Sequence, residues 1–177
     1  YFQSMNFGML ASAMKSEMLK GNVGVGVAYM DAGKSPATDI NGADLGYSTK
    51  ATDLLLVLSY ARMIKSVSAG ASLKIISSTL GDDKVSYSPS TFAIDLGGLY
   101  KFDKMPLSIG LAVQNLGGAI KYIEKNEKLP MIVKIGAAYK INLSGEKHKI
   151  TPSLDLIPVS DGAFGMNFGG EYTWDFS

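Results

Sequence analysis

Apolar residues recur at every second position along much of this chain. Near the C-terminus, Phe164, Met166 and Phe168 alternate with Gly and Asn, and Tyr172 and Trp174 flank a threonine. A repeat of two residues indicates a β-strand whose two faces differ chemically. The alternation predicts all-β structure, in strands of roughly the 9 to 11 residues that barrels use. These strands lie near residues 5 to 14, 22 to 31, 51 to 63, 67 to 79, 91 to 102, 106 to 116, 131 to 142, 148 to 157 and 163 to 176.

The connections between these strands alternate in length. Those after the second, fourth and sixth strands are long: AGKSPATDINGADLGYSTK, GDDKVSYSPS and GGAIKYIEKNEKLP. The intervening ones, IKSV, DKM and NLSGEKHK, are shorter. Antiparallel up-and-down barrels of the transmembrane type show this asymmetry, whereas a soluble Greek-key sandwich does not require it. The pattern therefore favours an up-and-down transmembrane-type barrel of about nine strands, or an incomplete one.

The two predicted faces differ in charge. On the strand near 67 to 79, Leu73 and Ile75 share a face that lacks charge, while Gly70, Ser72 and Lys74 share the other. Because the longest apolar run is far shorter than the roughly 20 residues of a transmembrane helix, a chain like this crosses a membrane only as a barrel. The second face is expected to line a lumen, where opposite charges on neighbouring strands pair. Its ionisable candidates are Asp53, Lys74, Asp95, Lys101, Lys134, Lys140, Asp155 and Glu171.

Aromatic residues cluster near one end of the apolar face. In an up-and-down order they would form a ring at one level of the barrel. Such a ring suits a membrane boundary, since the body of a Tyr or Trp side chain is apolar and its hydroxyl or N–H group stays hydrated. The alternative is the mouth of a soluble core, because soluble strands also end in Tyr. The candidate interface residues are Tyr60, Tyr100, Phe102, Tyr139, Tyr172 and Trp174.

Composition removes several classes of function. Seventeen Lys and Arg residues nearly balance sixteen Asp and Glu residues, which argues against a polyanion-binding surface, including one for nucleic acid. The lack of cysteine excludes disulfides, thiolate metal sites and cysteine nucleophiles. His148, the single histidine, lies in GEKHK and is expected to be a solvated loop residue. We therefore expect no enzyme activity, no metal and no cofactor.

Several segments resemble a known family. GLAVQNLGGAIKY and LPMIVKIGAAYKI, with TFAIDLGGLYKF before them and TPSLDLIPVSDGAFGMNFGGEYTW after, are similar to the PorV/PorQ family of bacterial outer-membrane barrels. The fold of that family is related to the FadL-type transporters. The resemblance covers most of Asn6 to Trp174, and its most specific part is Leu111 to Pro130. It implies a barrel of about fourteen strands, with passage of hydrophobic compounds in FadL-like members and protein secretion in PorV-like members.

The chain departs from that family in length. The family's N-terminal segment and the strands expected after EYTW are missing, and about nine strands is an odd number, whereas single-chain bacterial barrels are even. We therefore expect a fragment or a short relative whose open edges pair with another copy. Tyr1 to Ser4 resemble the remnant of an expression tag, and residues 5 to 177 are expected to form one domain.

The leading hypothesis is a bacterial outer-membrane channel for hydrophobic small molecules such as fatty acids. Its expected partners are a lipid bilayer or detergent, the hydrophobic solute and a second copy of the chain, with no nucleic acid. One alternative is a non-transporting scaffold or secretion-associated barrel that binds a protein partner. Another is a soluble β-protein in which the apolar face points into a ligand cavity.

Overall fold

The computed structural model describes residues 5–82, 85–122, 125–143, 147–158 and 164–175. Nine long strands match the nine predicted segments, and short strands accompany them. In chain order they are β1 (Asn6–Ser16), β2 (Gly21–Thr38), β3 (Asp44–Ile64), β4 (Val67–Asp82), β5 (Ser86–Tyr87), β6 (Ser90–Lys101), β7 (Leu107–Leu116), β8 (Ala119–Tyr122), β9 (Lys125–Lys128), β10 (Ile132–Tyr139), β11 (Ile141–Asn142), β12 (His148–Pro158) and β13 (Phe164–Trp174).

The strands form one antiparallel up-and-down sheet of eleven strands. Its long strands follow the order β1-β2-β3-β4-β6-β7-β10-β12, with β13 on the far side of β12. β11 continues β10 alongside β12, and β5 pairs with β4. β8 and β9 make a separate hairpin. The prediction of an all-β, antiparallel, up-and-down architecture is confirmed.

The sheet is not closed into a barrel, so the expectation of a closed barrel is wrong, whereas the alternative of an incomplete one with open edges agrees with the structure. Among the described residues, β1 pairs only with β2 and β13 pairs only with β12. The number of long strands is odd, so β1 and β13 run in the same direction. A pair between them would be parallel, whereas every pair in this sheet is antiparallel. Direct closure would therefore break the pattern on which the sheet is built.

The longest predicted loop, over residues 32 to 50, is instead mostly a β-ribbon. β2 continues to Thr38 and β3 begins at Asp44, so the connection is residues 39–43. Register shifts after Asp31 and after Pro36 accommodate Gly33, whose φ is 77°. The ribbon extends past its neighbours, because β1 pairs with β2 only as far as Asp31 and β4 pairs with β3 only from Thr49.

Within the described residues, no second layer covers the sheet. Ala93 is the one hydrophobic residue among the described residues that is fully buried. Large apolar side chains along the nine long strands remain exposed, including Leu58 at 57% and Phe168 at 75%. No helix in the described part of the chain is long and apolar enough to cross a membrane. The predicted tag, Tyr1 to Ser4, lies outside the described residues.

Candidate functional site

The face with small and polar side chains is concave. One open cavity of about 540 Å³ touches six adjacent strands, from Ser59 on β3 to Asp155 on β12. A flat sheet could not place strands so far apart around a single cavity, since neighbouring strands are roughly 4.8 Å apart. The cavity lies on the face predicted to line a lumen.

Small residues give this cavity its width. Gly70 pairs with Gly97, Gly97 with Ala112, and Gly110 with Gly136, so a band with almost no side chains crosses β4, β6, β7 and β10. A Cβ atom added at Gly97 would meet only the carbonyl oxygen of Leu111, at 3.8 Å. The face is therefore open at Gly97, where a solute could lie, whereas the Asp155 carboxylate lies over Gly136.

A smaller cavity of about 350 Å³ lies beside the first and is mainly apolar. Met9, Leu55 and Val57 contribute side chains of the concave face, and Ser59 borders both cavities. The concave face therefore has an apolar region toward β1 and a region with charged groups toward β12. An amphiphile needs both kinds of surface.

A polar network crosses the centre of the concave face. Lys74 Nζ lies 2.8 Å from Asp95 Oδ2, and both side chains are largely buried, at 14% and 20% exposure. Lys74 also donates to Asn115 Oδ1 at 2.7 Å, and the Asn115 backbone N–H donates to Asp95 Oδ1 at 2.9 Å. The expectation that opposite charges pair on this face is confirmed for Lys74 and Asp95. The polar groups of Lys74, Asp95 and Asn115 hydrogen-bond to one another, so the network makes this part of the sheet more rigid.

Asn115 sits at a bulge that sequence reasoning missed. The register between β6 and β7 shifts between Ile94 and Leu96, and Asn115 has a φ of 61°. Asn is among the residues that tolerate this left-handed conformation, and the following Gly-Gly was the available signal. Its side chain also donates to the carbonyl of Pro130 at 3.0 Å, and Leu129 N–H donates to Gly118 O. The bulge thus anchors both ends of the β8–β9 segment.

The structure brings only some of the other lumen candidates together. Lys134 and Asp155 line the large cavity, and neither makes an ion pair with another described residue. Asp53 is half-buried on the same face, opposite Ser78. Lys101, Lys140 and Glu171 lie toward the end of the sheet that carries the short turns and are exposed. Glu171 accepts a hydrogen bond from Thr173 Oγ1 at 3.0 Å.

The opposite face carries the predicted aromatic ring. All six candidates lie at the short-turn end, and strand register places Tyr60, Tyr100, Tyr139, Tyr172 and Trp174 on the apolar face. Phe102, the sixth candidate, follows β6 and makes an edge-to-face contact with Tyr100, with the ring centroids 4.7 Å apart. Whether these residues meet a membrane interface stays a prediction, but their common level is a property of the fold.

Tyr60 crosses the sheet surface to reach the first turn. Its hydroxyl donates to the carbonyl of Leu19 at 2.8 Å, and its ring covers Gly21. A Cβ atom at Gly21 would lie 2.7 Å from the ring, so glycine is required for this close approach. An aromatic residue over a cross-strand glycine supplies the packing that the glycine lacks.

His148 is not the solvated loop residue that the sequence suggested. It begins β12 on the apolar face, where its Nδ1 lies 2.6 Å from the Tyr172 hydroxyl. The imidazole stacks between Tyr172 and Trp174, with ring centroids 6.0 Å and 5.6 Å apart. Position alone did not reveal this, because the pairing of His148 with Trp174 depends on the β12–β13 register.

The two ends of the sheet differ in charge. Basic residues flank all four short turns, and we call them the basic rim: Lys15, Lys20, Arg62, Lys65, Lys101, Lys104, Lys140, Lys147 and Lys149. Four acidic residues are described there: Glu17, Asp103, Glu171 and Asp175. Glu17 pairs with Lys15 at 2.7 Å, and Asp103 accepts from Ser66.

The opposite end, at the tips of the long connections, is richer in acid. Asp31, Asp39, Asp44 and Asp82 lie there, with Lys34, Lys50 and Lys128. Asp39 accepts from the N–H groups of Ala43 and Asn41, both at 2.8 Å, and these bonds, that of Ala43 first, lower its pKa. The near-zero net charge therefore averages two unlike ends.

In the described part of the chain, no three acidic or histidine side chains lie together as a metal site would require. Comparison with protein-family models, with curated proteins and with solved structures finds no match for this chain.

Proposed function

We propose that this chain is an outer-membrane β-barrel protein, or a large piece of one, that passes hydrophobic small molecules through its concave face. The observation that carries the proposal is that the apolar face of the sheet is exposed while the face with small and polar residues is partly buried. Along β3, Leu54, Leu56 and Leu58 are exposed, whereas the residues between them are half-buried. Monomeric soluble proteins rarely expose apolar patches beyond a few hundred Å².

Lipid is the environment that suits such a face. A bilayer core covers apolar side chains, and strands cross it when their backbone groups are paired. The aromatic ring at one end matches the girdle found at membrane boundaries. A soluble fold with the apolar face turned inward lacks support, because that face is the exposed one among the described residues.

The concave face supports the passage of a solute. Its band of glycine and alanine residues is wide enough for a cavity of about 540 Å³, and an apolar cavity adjoins it. A fatty acid combines a long apolar chain with one carboxylate, and Lys134 is an unpaired cation among the described residues of the larger cavity. The resemblance to the PorV/PorQ family points to the same class of solute.

The first test is the solution mass with and without detergent. We expect aggregation in plain buffer and a defined particle in micelles, because the exposed apolar face needs cover. A monodisperse monomer in plain buffer would contradict the proposal.

The second test compares two adjacent glycines. Gly97 faces the cavity and Gly98 faces outward, and a Cβ atom at either has no contact shorter than 3.8 Å. Gly97→Trp is expected to block uptake of a fluorescent fatty acid into proteoliposomes, because its side chain fills the band. Gly98→Trp is the matched control and should leave uptake unchanged. Equal uptake by both variants would show that solute does not use this face.

A protein-binding scaffold is the second candidate, favoured by the open edges of the sheet. Within the described residues, β1 and β13 each pair with a neighbouring strand on one side only, and the β2–β3 ribbon projects beyond its neighbours. Exposed edges pair readily with other strands. A barrel that passes no solute, yet captures a partner whose binding is lost when Ala11 is replaced by Pro, would favour this candidate over transport.

A further inference from the structure

We propose that the short-turn end is built to engage the headgroups of anionic phospholipids, with the basic rim on their phosphates and the aromatic ring just below. This inference rests on the proposed function, because it assumes that the apolar face enters a bilayer. It adds the chemistry of the lipid and the end of the sheet that meets it.

The charge segregation is the first observation. Nine basic residues flank the short turns, against four acidic residues described at that end, Glu17, Asp103, Glu171 and Asp175. Glu17 pairs with Lys15, and Asp103 accepts from Ser66. Each Lys or Arg near an anionic membrane surface strengthens binding roughly fivefold. The opposite end has no comparable excess of cations among its described side chains.

Backbone strain at two of these turns is the second observation. Lys20 and Lys65 adopt φ values of 51° and 56°, where Gly or Asn is favoured. A lysine in this region costs free energy that glycine would avoid. Both positions place a cation at the tip of a short turn, and the need for charge there explains the choice of residue.

The aromatic ring is the third observation, since it puts the rim at a definite depth. Tyr60, Tyr172 and Trp174 have polar groups at their tips, and their rings lie on the exposed apolar face directly inside the turns. Such residues settle at the headgroup level. The basic residues of the short turns lie beyond the aromatic ring and are therefore placed at the level of the lipid phosphates.

Charge complementarity selects anionic phospholipid as the occupant. A second copy of the chain would bring a like-charged rim against this one. A neutral lipid would accept the aromatic ring but would leave the cations without partners. An anionic bilayer satisfies the apolar face, the ring and the rim together.

Vesicle binding tests the inference, with Trp174 as the only tryptophan in the chain. Protein in detergent is diluted into vesicles of phosphatidylcholine, or of phosphatidylcholine and phosphatidylglycerol in equal parts, and bound protein is measured by flotation. We expect at least about tenfold stronger binding to the anionic vesicles at low salt, shrinking as salt screens the charges. Lipids brominated near the headgroup should quench Trp174 more than lipids brominated deep in the acyl chain.

A matched pair of variants assigns the effect to the rim. Replacing Lys104, Lys140 and Lys147 by Gln should remove most of the anionic preference. Replacing Lys34, Lys50 and Lys128 at the opposite end by Gln removes the same charge and should preserve it. Equal binding to both kinds of vesicle, or equal losses in the two variants, overturns the inference while the membrane proposal stands. Binding to neither vesicle overturns both, and self-association that buries Trp174 in buffer identifies a second copy as the occupant.

Discussion

The two faces of the sheet reverse the usual relation between hydrophobicity and burial. On β4, Leu73 and Ile75 are exposed, while Lys74 between them and Ser72 before them are half-buried. Curvature rather than hydrophobicity decides which face is enclosed, because the concave side shelters whatever lies on it. The comparison teaches that the described part of the chain leaves its apolar face uncovered, and that its polar face is held by specific hydrogen bonds instead of by a hydrophobic core.

The sharpest way to break this comparison is to put a charge on the exposed face. Leu56→Arg is expected to lower the free energy of unfolding in lipid by about 2–4 kcal/mol, the cost of a cation near the bilayer midplane. Urea titrations of the protein in lipid vesicles, followed by Trp174 fluorescence, measure the loss. Gly97→Arg, on the concave face, is the control and should not show the lipid-dependent loss.

A second prediction concerns the polar face. Lys74→Ala leaves Asp95 partly buried without its cation, and should lower the free energy of unfolding by about 1–3 kcal/mol. The double variant with Lys74→Met and Asp95→Leu should lose less free energy of unfolding than Lys74→Ala or Asp95→Ala, because neither charge remains without its partner. A double-mutant cycle by urea unfolding checks this. Additive losses would show that the 2.8 Å pair contributes no coupling.

A third prediction returns to the aromatic ring. Gly21→Ala should cost about 1 kcal/mol, because its methyl group displaces the Tyr60 ring from its place over β2. Gly8→Ala is the control, since a Cβ atom there meets nothing within 4 Å. In a Tyr60→Ala background the Gly21→Ala penalty should shrink. An unchanged penalty would assign it to the nearby carbonyl of Ala61 instead.

The smallest effect is expected at the tip of the β2–β3 ribbon. Hydrogen bonds from Ala43 and Asn41 depress the pKa of Asp39, so the turn is stabilised above the ordinary carboxyl pKa and loses that stability as pH falls through the lowered value. The amide chemical shifts of Asn41 and Ala43 should titrate together, with a midpoint below that of a model peptide. In Asp39→Ala that titration should be absent.

The local sequence pattern predicted where the strands lie but not whether the sheet closes. The alternation located all nine long strands, because consecutive residues of a strand point to opposite faces and therefore differ in polarity. It missed the ribbon over residues 32 to 50, since Gly33, Pro36 and the polar residues around them resemble loop chemistry, while bulges let them pair. Closure depends on whether distant edges run in compatible directions, which no local pattern encodes.

The candidate site divides in the same way. The pairing of Lys74 with Asp95 followed from opposite charges on neighbouring strands of one face. Asn115 escaped notice because its role depends on a bulge, and His148 because its stack depends on a register set elsewhere along β12 and β13. The net charge of the chain is close to zero, so composition does not show that the two ends of the sheet differ in charge. The strand order shows it, because it determines which residues lie at each end.

The shared direction of β1 and β13 has a consequence for symmetry. A two-fold axis that sets β1 of one copy antiparallel to β1 of another runs across the strands and turns the second copy upside down. An assembly built in this way would carry a basic rim at each of its two ends. Two copies in the same orientation would instead meet β13 to β1 as a parallel pair. The direction of the pair at the seam would therefore reveal whether neighbouring copies share one membrane surface.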